Sequence, residues 1–337
     1  MGKRQVTTIM DVARKTGLSK TTISRYLNGK YEYMSAKSRS SITEAIRELH
    51  YRPNKLARGL KSLHSYTIGV VISDITSPFS AILLKGINDA CSRLGYGVFI
   101  TNSDDTPALE QKHIQSMLDH CVDGIILNTT GGNVEFLKNL ASTCDVPIVL
   151  ADREVEPLLF DTVCAANRMA TNEMLQYLKE QGYDRVALFS EPLENGTRVT
   201  RHRAYQAAYR EVFNQEPSTY ILKKSSIEKN MALLTQYRQD NSGKKLAIFT
   251  SNGVSSLSVA QAMKRLNLTY PHDIGLCGFD NWDWMELAGP GLTVIDVPTH
   301  TIALECVRRL LQRIDQVDEL LPQVAKVPCK LIIRSSV

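Results

Sequence analysis

From Tyr66 almost to the end of the chain, short apolar runs alternate with amphipathic stretches of helical period, and this alternation constrains the fold more than any other feature. The apolar runs 66–72, 97–101, 124–127 and 147–150 are separated by helical stretches at 78–94, 107–119 and 134–140. A second set lies at 162–165, 185–189, 220–222, 246–250 and 274–277, with helical stretches at 169–181, 197–213, 228–238 and 255–266. Apolar strands alternating with amphipathic helices imply parallel sheets covered on both faces. Two such sets predict an α/β body of two Rossmann-like subdomains with parallel sheets and a cleft between them. Ligands of such sheets bind outside the carboxyl ends of the strands.

Residues 1–50 follow a different plan and read as all helical. Thr8 can cap a helix carrying Ile9, Val12 and Ala13 on one face, and Gly17 suits the left-handed position that ends it. Ser19 caps a short helix over 20–27 with Ile23 and Leu27 inward, and Asn28-Gly29 stops it. Ser35 caps a third helix with a stripe of Ile42, Ala45, Ile46 and Leu49. Two short helices joined by a tight glycine turn and buried by a third form a helix-turn-helix. Lys20, Thr21 and Arg25 fall on the outer face of the second helix. A generic three-helix module with a polar surface would share that pattern.

Charge separates the two parts. Residues 1–64 hold 14 Lys/Arg against 4 Asp/Glu, whereas the whole chain carries a net charge of only +5. A basic head on a mildly acidic body meets the electrostatic requirement for nucleic-acid binding, although a solvated basic surface meets it too. Between head and body, the connector 51–64 contains Pro53, which disfavours helix at Arg52, and Asn54, which can cap a single turn. Leu60 sits there among Lys55, Arg58 and Lys61. An apolar residue among cations fits either a minor-groove wedge or a linker side chain packed on the body.

Polar residues recur at the predicted strand ends: Ser73-Asp74, Asp152-Arg153, Asn252 and Asp280-Asn281-Trp282, with Arg201 opening a helix after a loop. Any one of them could be a turn or capping residue. Together they supply carboxylates, an amide, guanidinium groups and an aromatic plate, a set suited to hydroxyl-rich or carboxylated small molecules.

The stretch from Thr8 through Lys20-Thr-Thr-Ile-Ser-Arg25 to Gly29 resembles the DNA-binding signature of the lactose/galactose repressor (LacI/GalR) family. Met34–Arg39 and Tyr51–Ala57 fit at matching spacing, and weaker landmarks extend through the body, among them Val122-Asp-Gly-Ile-Ile and Gly275-Leu-Cys-Gly-Phe-Asp-Asn281. The resemblance implies a homodimer or tetramer on a pseudo-palindromic double-stranded operator. Lys20 and Thr21 match the variable specificity positions, and Arg25 matches the base-reading arginine. Thr8, Ser19, Thr22, Ser24 and Asn28 would hold phosphates or cap helices. In the connector, Asn54 and Ala57 join the DNA-contacting set and Leu60 matches the hinge-helix leucine that opens the central base step. In the body, Ser77, Pro78 and Phe79 would lie at the mouth of the effector cleft. Asp152, Arg201, Asn252 and Asp280 would face them, with Arg153 and Trp282 adjacent and Arg168 near the same opening. Two departures from the family pattern matter: Gly253 stands where an aspartate is common, and Val297 where a glutamine is frequent. The segment Asn28–Met34 resembles regulators of ketogluconate or ketodeoxygluconate use, which implies a sugar-acid effector for which Arg153 and Arg201 would supply cations.

The expected organisation is therefore a helix-turn-helix domain (1–50), a hinge (51–64) and an effector-binding and dimerisation domain (65–337). Within the last, the first subdomain takes 65–164 plus 293–325 and the second 165–292 plus 326–337. Both alternatives to a DNA-binding regulator meet obstacles. An exported sugar-binding protein of the periplasmic type shares the body architecture but needs an export signal, and Met1–Met10 is polar and basic. An enzyme would need one of the phosphate-cradling, nucleophile or metal motifs, and G-x-G-x-x-G, G-x-x-x-x-G-K-[ST], G-x-S-x-G and H-E-x-x-H are all missing. No cofactor, metal or catalytic group is expected. Seven scattered cysteines without a C-x-x-C suit core thiols in a reducing cytoplasm. Without an apolar run of about 18 residues or more, no membrane span is expected. A chain ending just after a strand at 330–333, with no leucine-heptad tail, favours a dimer over a tetramer.

Overall fold

The computed structural model describes residues 7–32, 34–51, 64–223, 226–315 and 321–337. They form two units, Met1–Ser65 and Tyr66–Val337. The connector residues Asn54, Ala57 and Leu60, and the turn expected there, lie outside the described residues.

The head contains the three expected helices, α1 (Ile9–Thr16), α2 (Lys20–Leu27) and α3 (Ala36–Glu48). Thr8 and Asp11 cap α1 reciprocally: the Asp11 carboxylate accepts from the Thr8 amide at 2.9 Å, and the Asp11 amide donates to the Thr8 hydroxyl at 3.4 Å. Such caps contribute about 1 kcal/mol each. Gly17 ends α1 at φ +67°, a left-handed position that costs glycine little. Ser19 and Ser35 accept from backbone amides at the starts of α2 and α3. The helices close over Val12, Ala13, Ile23, Ile42 and Ala45, a small core that suffices to hold α2 against α1 and α3.

The body consists of two six-stranded sheets. The first sheet contains β1 (Thr67–Ile72), β2 (Gly97–Asn102), β3 (Gly124–Leu127), β4 (Ile148–Ala151), β5 (Asp161–Ala165) and β11 (Val324–Val327), in the order β11-β5-β4-β3-β1-β2, all parallel. The second contains β6 (Arg185–Ser190), β7 (Ser218–Ile221), β8 (Leu246–Thr250), β9 (Gly275–Phe279), β10 (Thr293–Asp296) and β12 (Lys330–Ile332), in the order β12-β10-β9-β8-β6-β7, parallel except for β12. The connecting helices are α4 (Pro78–Arg93), α5 (Pro107–Asp119), α6 (Val134–Thr143), α7 (Asn167–Glu180), α8 (Gly196–Phe213), α9 (Ile227–Asp240), α10 (Gly253–Arg265), the short α11 (Asp283–Leu287) and α12 (Thr299–Asp315). Central strands β1, β3, β4, β6, β8 and β9 are buried almost throughout, as parallel strands under helices on both faces must be.

The chain crosses between sheets after Ala165, after Asp296 and after Val327. This corrects the expected subdomain limits. Thr293–Asp296 was expected in the first subdomain, yet it pairs with β9 and β12 in the second sheet. Residues 326 and 327 were expected in the second, yet they belong to β11 and pair with β5. A four-residue apolar run carries no mark of which sheet edge it will join, because the pairing is long-range. All seven cysteines are free thiols. Burial pushes the Cys91 thiol up to about 11 and, as the largest of several influences, that of Cys164 up to about 12.

Candidate functional site

Each central strand of both sheets ends in a polar side chain at one shared cleft, which holds about 690 Å³ of open space. Ser73 and Asp74 follow β1, Asn128 follows β3, Asp152 follows β4, Glu191 follows β6, Asn252 comes two residues after β8, and Asp280 follows β9. The N-terminal ends of α4, α8 and α10 reach the same cleft through Ser77, Asn195 and Asn252. Helix N-termini favour negative charge.

Arg201 is 4% exposed on α8, and its guanidinium is fixed from three directions. Nε donates to Asn167 Oδ1 at 2.8 Å, Nη1 donates to the Ser251 carbonyl at 2.7 Å, and the guanidinium carbon lies 3.9 Å from the centre of the Phe279 ring. Nη2 has no hydrogen-bond partner among the described residues and so is open to a ligand. Asp280 is held at φ +74° and accepts from the Gly253 amide at 2.8 Å. Burial raises its carboxyl above the ordinary aspartate value of 3.8, and the nearby Arg201 cation opposes that shift. Asp152, at φ +67°, accepts from the Thr197 hydroxyl through Oδ2 at 2.8 Å. Its Oδ1 is buried with no hydrogen-bond partner among the described residues. A buried carboxylate oxygen left unpaired costs roughly 1–3 kcal/mol, which a ligand hydroxyl can return.

Glu191 receives Arg198 Nη2 at 2.9 Å and Asn252 Nδ2 at 2.8 Å. Asn252 also caps α10 by accepting from the Ser255 amide at 2.8 Å. Arg153 lines the cleft, but its Nη1 is engaged with Asp105 at 3.0 Å and the Thr129 carbonyl at 2.9 Å.

Of the expected effector residues, Ser77, Phe79, Asp152, Arg153, Arg201, Asn252, Asp280 and Trp282 line the cleft. Pro78 does not. It occupies the first turn of α4, where a missing amide hydrogen costs nothing and φ is already helical. Arg168 is exposed on α7 and is absent from the lining, whereas its neighbour Asn167 is buried and orients Arg201. The sequence reading did not pick out Asp105, Asn128, Glu191, Asn195, Thr197 and Arg198. The carboxyl-edge rule, extended to β2, β3 and β6, would have pointed to Asp105, Asn128 and Glu191.

In the head, Lys20, Thr21 and Arg25 are exposed along α2, and neither cation forms an ion pair among the described residues. Thr8 and Ser19 spend their hydroxyls on helix caps, Thr22 lies 2.9 Å from the Ser19 hydroxyl, and Asn28 closes α2. Ser24 is half-buried.

A helix-turn-helix unit carried with a two-lobed α/β body whose cleft lies at the carboxyl edges of both sheets defines a ligand-responsive DNA-binding regulator. Residues 8–54 match the family model described as bacterial regulatory proteins, lacI family. Residues 65–335 match the one described as periplasmic binding proteins and sugar binding domain of LacI family. The chain is 37% identical over 335 residues to the HTH-type transcriptional regulator KdgR of Bacillus subtilis (strain 168), covering 98% of this chain and 97% of that one. It is 33% identical over 315 residues to the HTH-type transcriptional regulator PtxS of Pseudomonas putida, covering 92% and 90%. Its fold is similar to that of the lac repressor dimer bound to operator and the anti-inducer ONPF, with a TM-score of 0.85 at 22% identity over 98% of this chain and 99% of that one. The chain belongs to the LacI family of bacterial transcriptional regulators.

Proposed function

We propose that this regulator acts in the cytoplasm as a homodimeric repressor of sugar-acid catabolism genes, binding a pseudo-palindromic operator and responding to a six-carbon sugar acid in the body cleft. The observation that carries the effector reading is the pairing of complementary vacancies in one cleft. Among the described residues, Asp152 Oδ1 is a buried acceptor without a donor, and Arg201 keeps an open N–H on a pre-oriented guanidinium. A ligand bearing both hydroxyl and carboxylate groups satisfies both. The three helix N-termini at the cleft favour the negative charge further. The resemblance of Asn28–Met34 to regulators of ketogluconate or ketodeoxygluconate use supports the same class of ligand.

On this reading, Lys20, Thr21 and Arg25 read base edges from α2, while Thr22, Ser24 and Asn28 approach the phosphates. Thr8 and Ser19 set the helices at the correct angle. Asn54, Ala57 and Leu60 extend the contact into the minor groove. Effector binding shifts the relative orientation of the two subdomains, and the dimer carries that shift to the hinge segments. A coupling of about 1–3 kcal/mol would change operator affinity roughly 5- to 150-fold.

Calorimetric titration with gluconate, ketogluconates and hexuronates, paired with operator retardation with and without each compound, tests the proposal. One of these acids is expected to bind and to alter operator affinity. Binding to the body that leaves operator affinity untouched would remove the switch, and binding of neutral sugars alone would remove the sugar-acid reading. Turnover of a bound acid would replace the regulator with an enzyme, against which the relatives, named as transcriptional regulators, already weigh.

A further inference from the structure

Asp280 and Trp282 line two hollows at once. One is the effector cleft. The other spans about 600 Å³, open to solvent, and its lining includes Ile82, Asp296, Val297, Thr299 and His300. Both hollows carry polar groups able to hold sugar hydroxyls, and the bulkiest group they share is the Trp282 indole.

Gly253 makes room for that indole. A β-carbon at position 253 would fall 2.5 Å from Cζ3, 2.6 Å from Cε3 and 2.7 Å from Cη2 of Trp282. Carbon atoms in good contact sit about 3.5–4.0 Å apart, so no side chain fits there while the ring keeps its place. An aspartate at 253 and the indole of Trp282 in its present place are therefore mutually exclusive. Trp282 immediately precedes α11 as its N-cap residue, and its side chain packs against the core of the second sheet.

From this arrangement we infer that Trp282 sets the length of the effector: the indole partitions a longer groove, so the cleft admits one sugar unit and the hollow beyond it is closed to a second. The inference rests on the reading of the cleft as the site of a sugar-like effector. It adds that the second hollow is a latent subsite for the next unit of a longer saccharide, and that Gly253 is the positioning residue that keeps the partition shut.

Full-length protein titrated with D-glucose, D-gluconate, 2-keto-D-gluconate, cellobiose and cellobionate tests it. The wild type is expected to bind a one-unit ligand at least tenfold more tightly than its two-unit counterpart. W282A is expected to gain affinity for the two-unit ligand and to bring the ratio to threefold or less, whereas W282F keeps the preference. G253A, whose new β-carbon must displace the ring, is expected to shift the ratio in the same direction as W282A and serves if W282A fails to fold. A fluorescence readout isolates the ring: with Trp284 replaced by Phe, the remaining tryptophan is Trp282, and its emission should change on binding. Equal loss of both ligand lengths in W282A, or an unchanged ratio in W282A and G253A, overturns the partition. If only the neutral sugars bind, the sugar-acid reading fails while glucose and cellobiose still measure the ratio. If no sugar binds the wild type, both fall together.

Discussion

The Thr197 hydroxyl, in the first turn of α8, lies 2.8 Å from Oδ2 and 3.0 Å from the main-chain oxygen of Asp152, and so joins a helix of the second subdomain to the carboxyl edge of the first sheet. Two further pairs continue along the same helix at three-residue spacing, Thr200 with Glu154 at 3.4 Å and Arg203 with Glu156 at 3.2 Å. The last pair is 65% and 84% exposed and contributes little. The Thr197 contact is buried and ties the two subdomains together at the cleft.

Replacing Thr197 by Val removes that donor while keeping the shape, and leaves the Asp152 carboxylate with less compensation than before. Denaturant unfolding is expected to show a loss of about 1–2 kcal/mol. Effector affinity should fall with it, because Asp152, which lines the cleft, loses the donor that orients its carboxylate. Restoration by T197S but not by T197V ties the effect to the hydroxyl. Unchanged stability in T197V would show the contact to be incidental.

Arg201 offers a planar fork to the cleft while two of its nitrogens are tied down. A lysine at 201 keeps the charge but cannot reproduce the fork or its stacking on Phe279. R201K is expected to weaken effector binding by roughly 10- to 100-fold, measured by titration calorimetry, and to make operator binding insensitive to effector at concentrations that saturate the wild type. A wild-type response in R201K would mean that Arg201 only supports the fold.

On α2, Arg25→Ala is expected to weaken operator binding by about 1–3 kcal/mol and to relax preference at one base position, as loss of a bidentate contact to guanine would. Binding to random DNA should be nearly unchanged. An equal loss on operator and random fragments would make Arg25 a phosphate contact instead.

The buried Asp280 makes stability depend on pH in a definite direction. Burial raises its carboxyl above the ordinary value of 3.8, so near that value the folded state holds the proton more tightly than the unfolded chain. Its favourable contribution is complete below 3.8 and is lost as pH rises through the folded-state value. Asparagine at 280 cannot ionise, so D280N should flatten this component of the stability curve. Thermal unfolding of both proteins from pH 4 to pH 8 measures it. Identical pH profiles would show that Asp280 titrates alike in the folded and unfolded states.

Local rules in the sequence account for the head and for the layout of the body. Thr8, Ser19 and Ser35 appear as caps because short hydroxyl side chains at those places have amides within reach in their own segment. Gly17 marks the turn because few other residues tolerate a left-handed backbone. The repeated apolar runs called for parallel sheets because only strands covered on both faces can afford them. The cleft followed from the same rule, since carboxyl ends of parallel strands point one way. Asp152, Asn252 and Asp280 were legible for that reason, and Glu191, at the end of β6, was equally accessible to it.

Tertiary structure decided what depends on distance across the fold. It placed Thr293–Asp296 in the second sheet, because strand pairing is chosen by neighbours far along the chain. It engaged Arg153 with Asp105 and Thr129 and left a nitrogen of Arg201 open, though both are arginines near one cleft. It also gave Gly253 its meaning. In sequence that glycine is only a small residue after Asn252. In space it is the room taken by an indole 29 residues away, because two groups cannot share one volume.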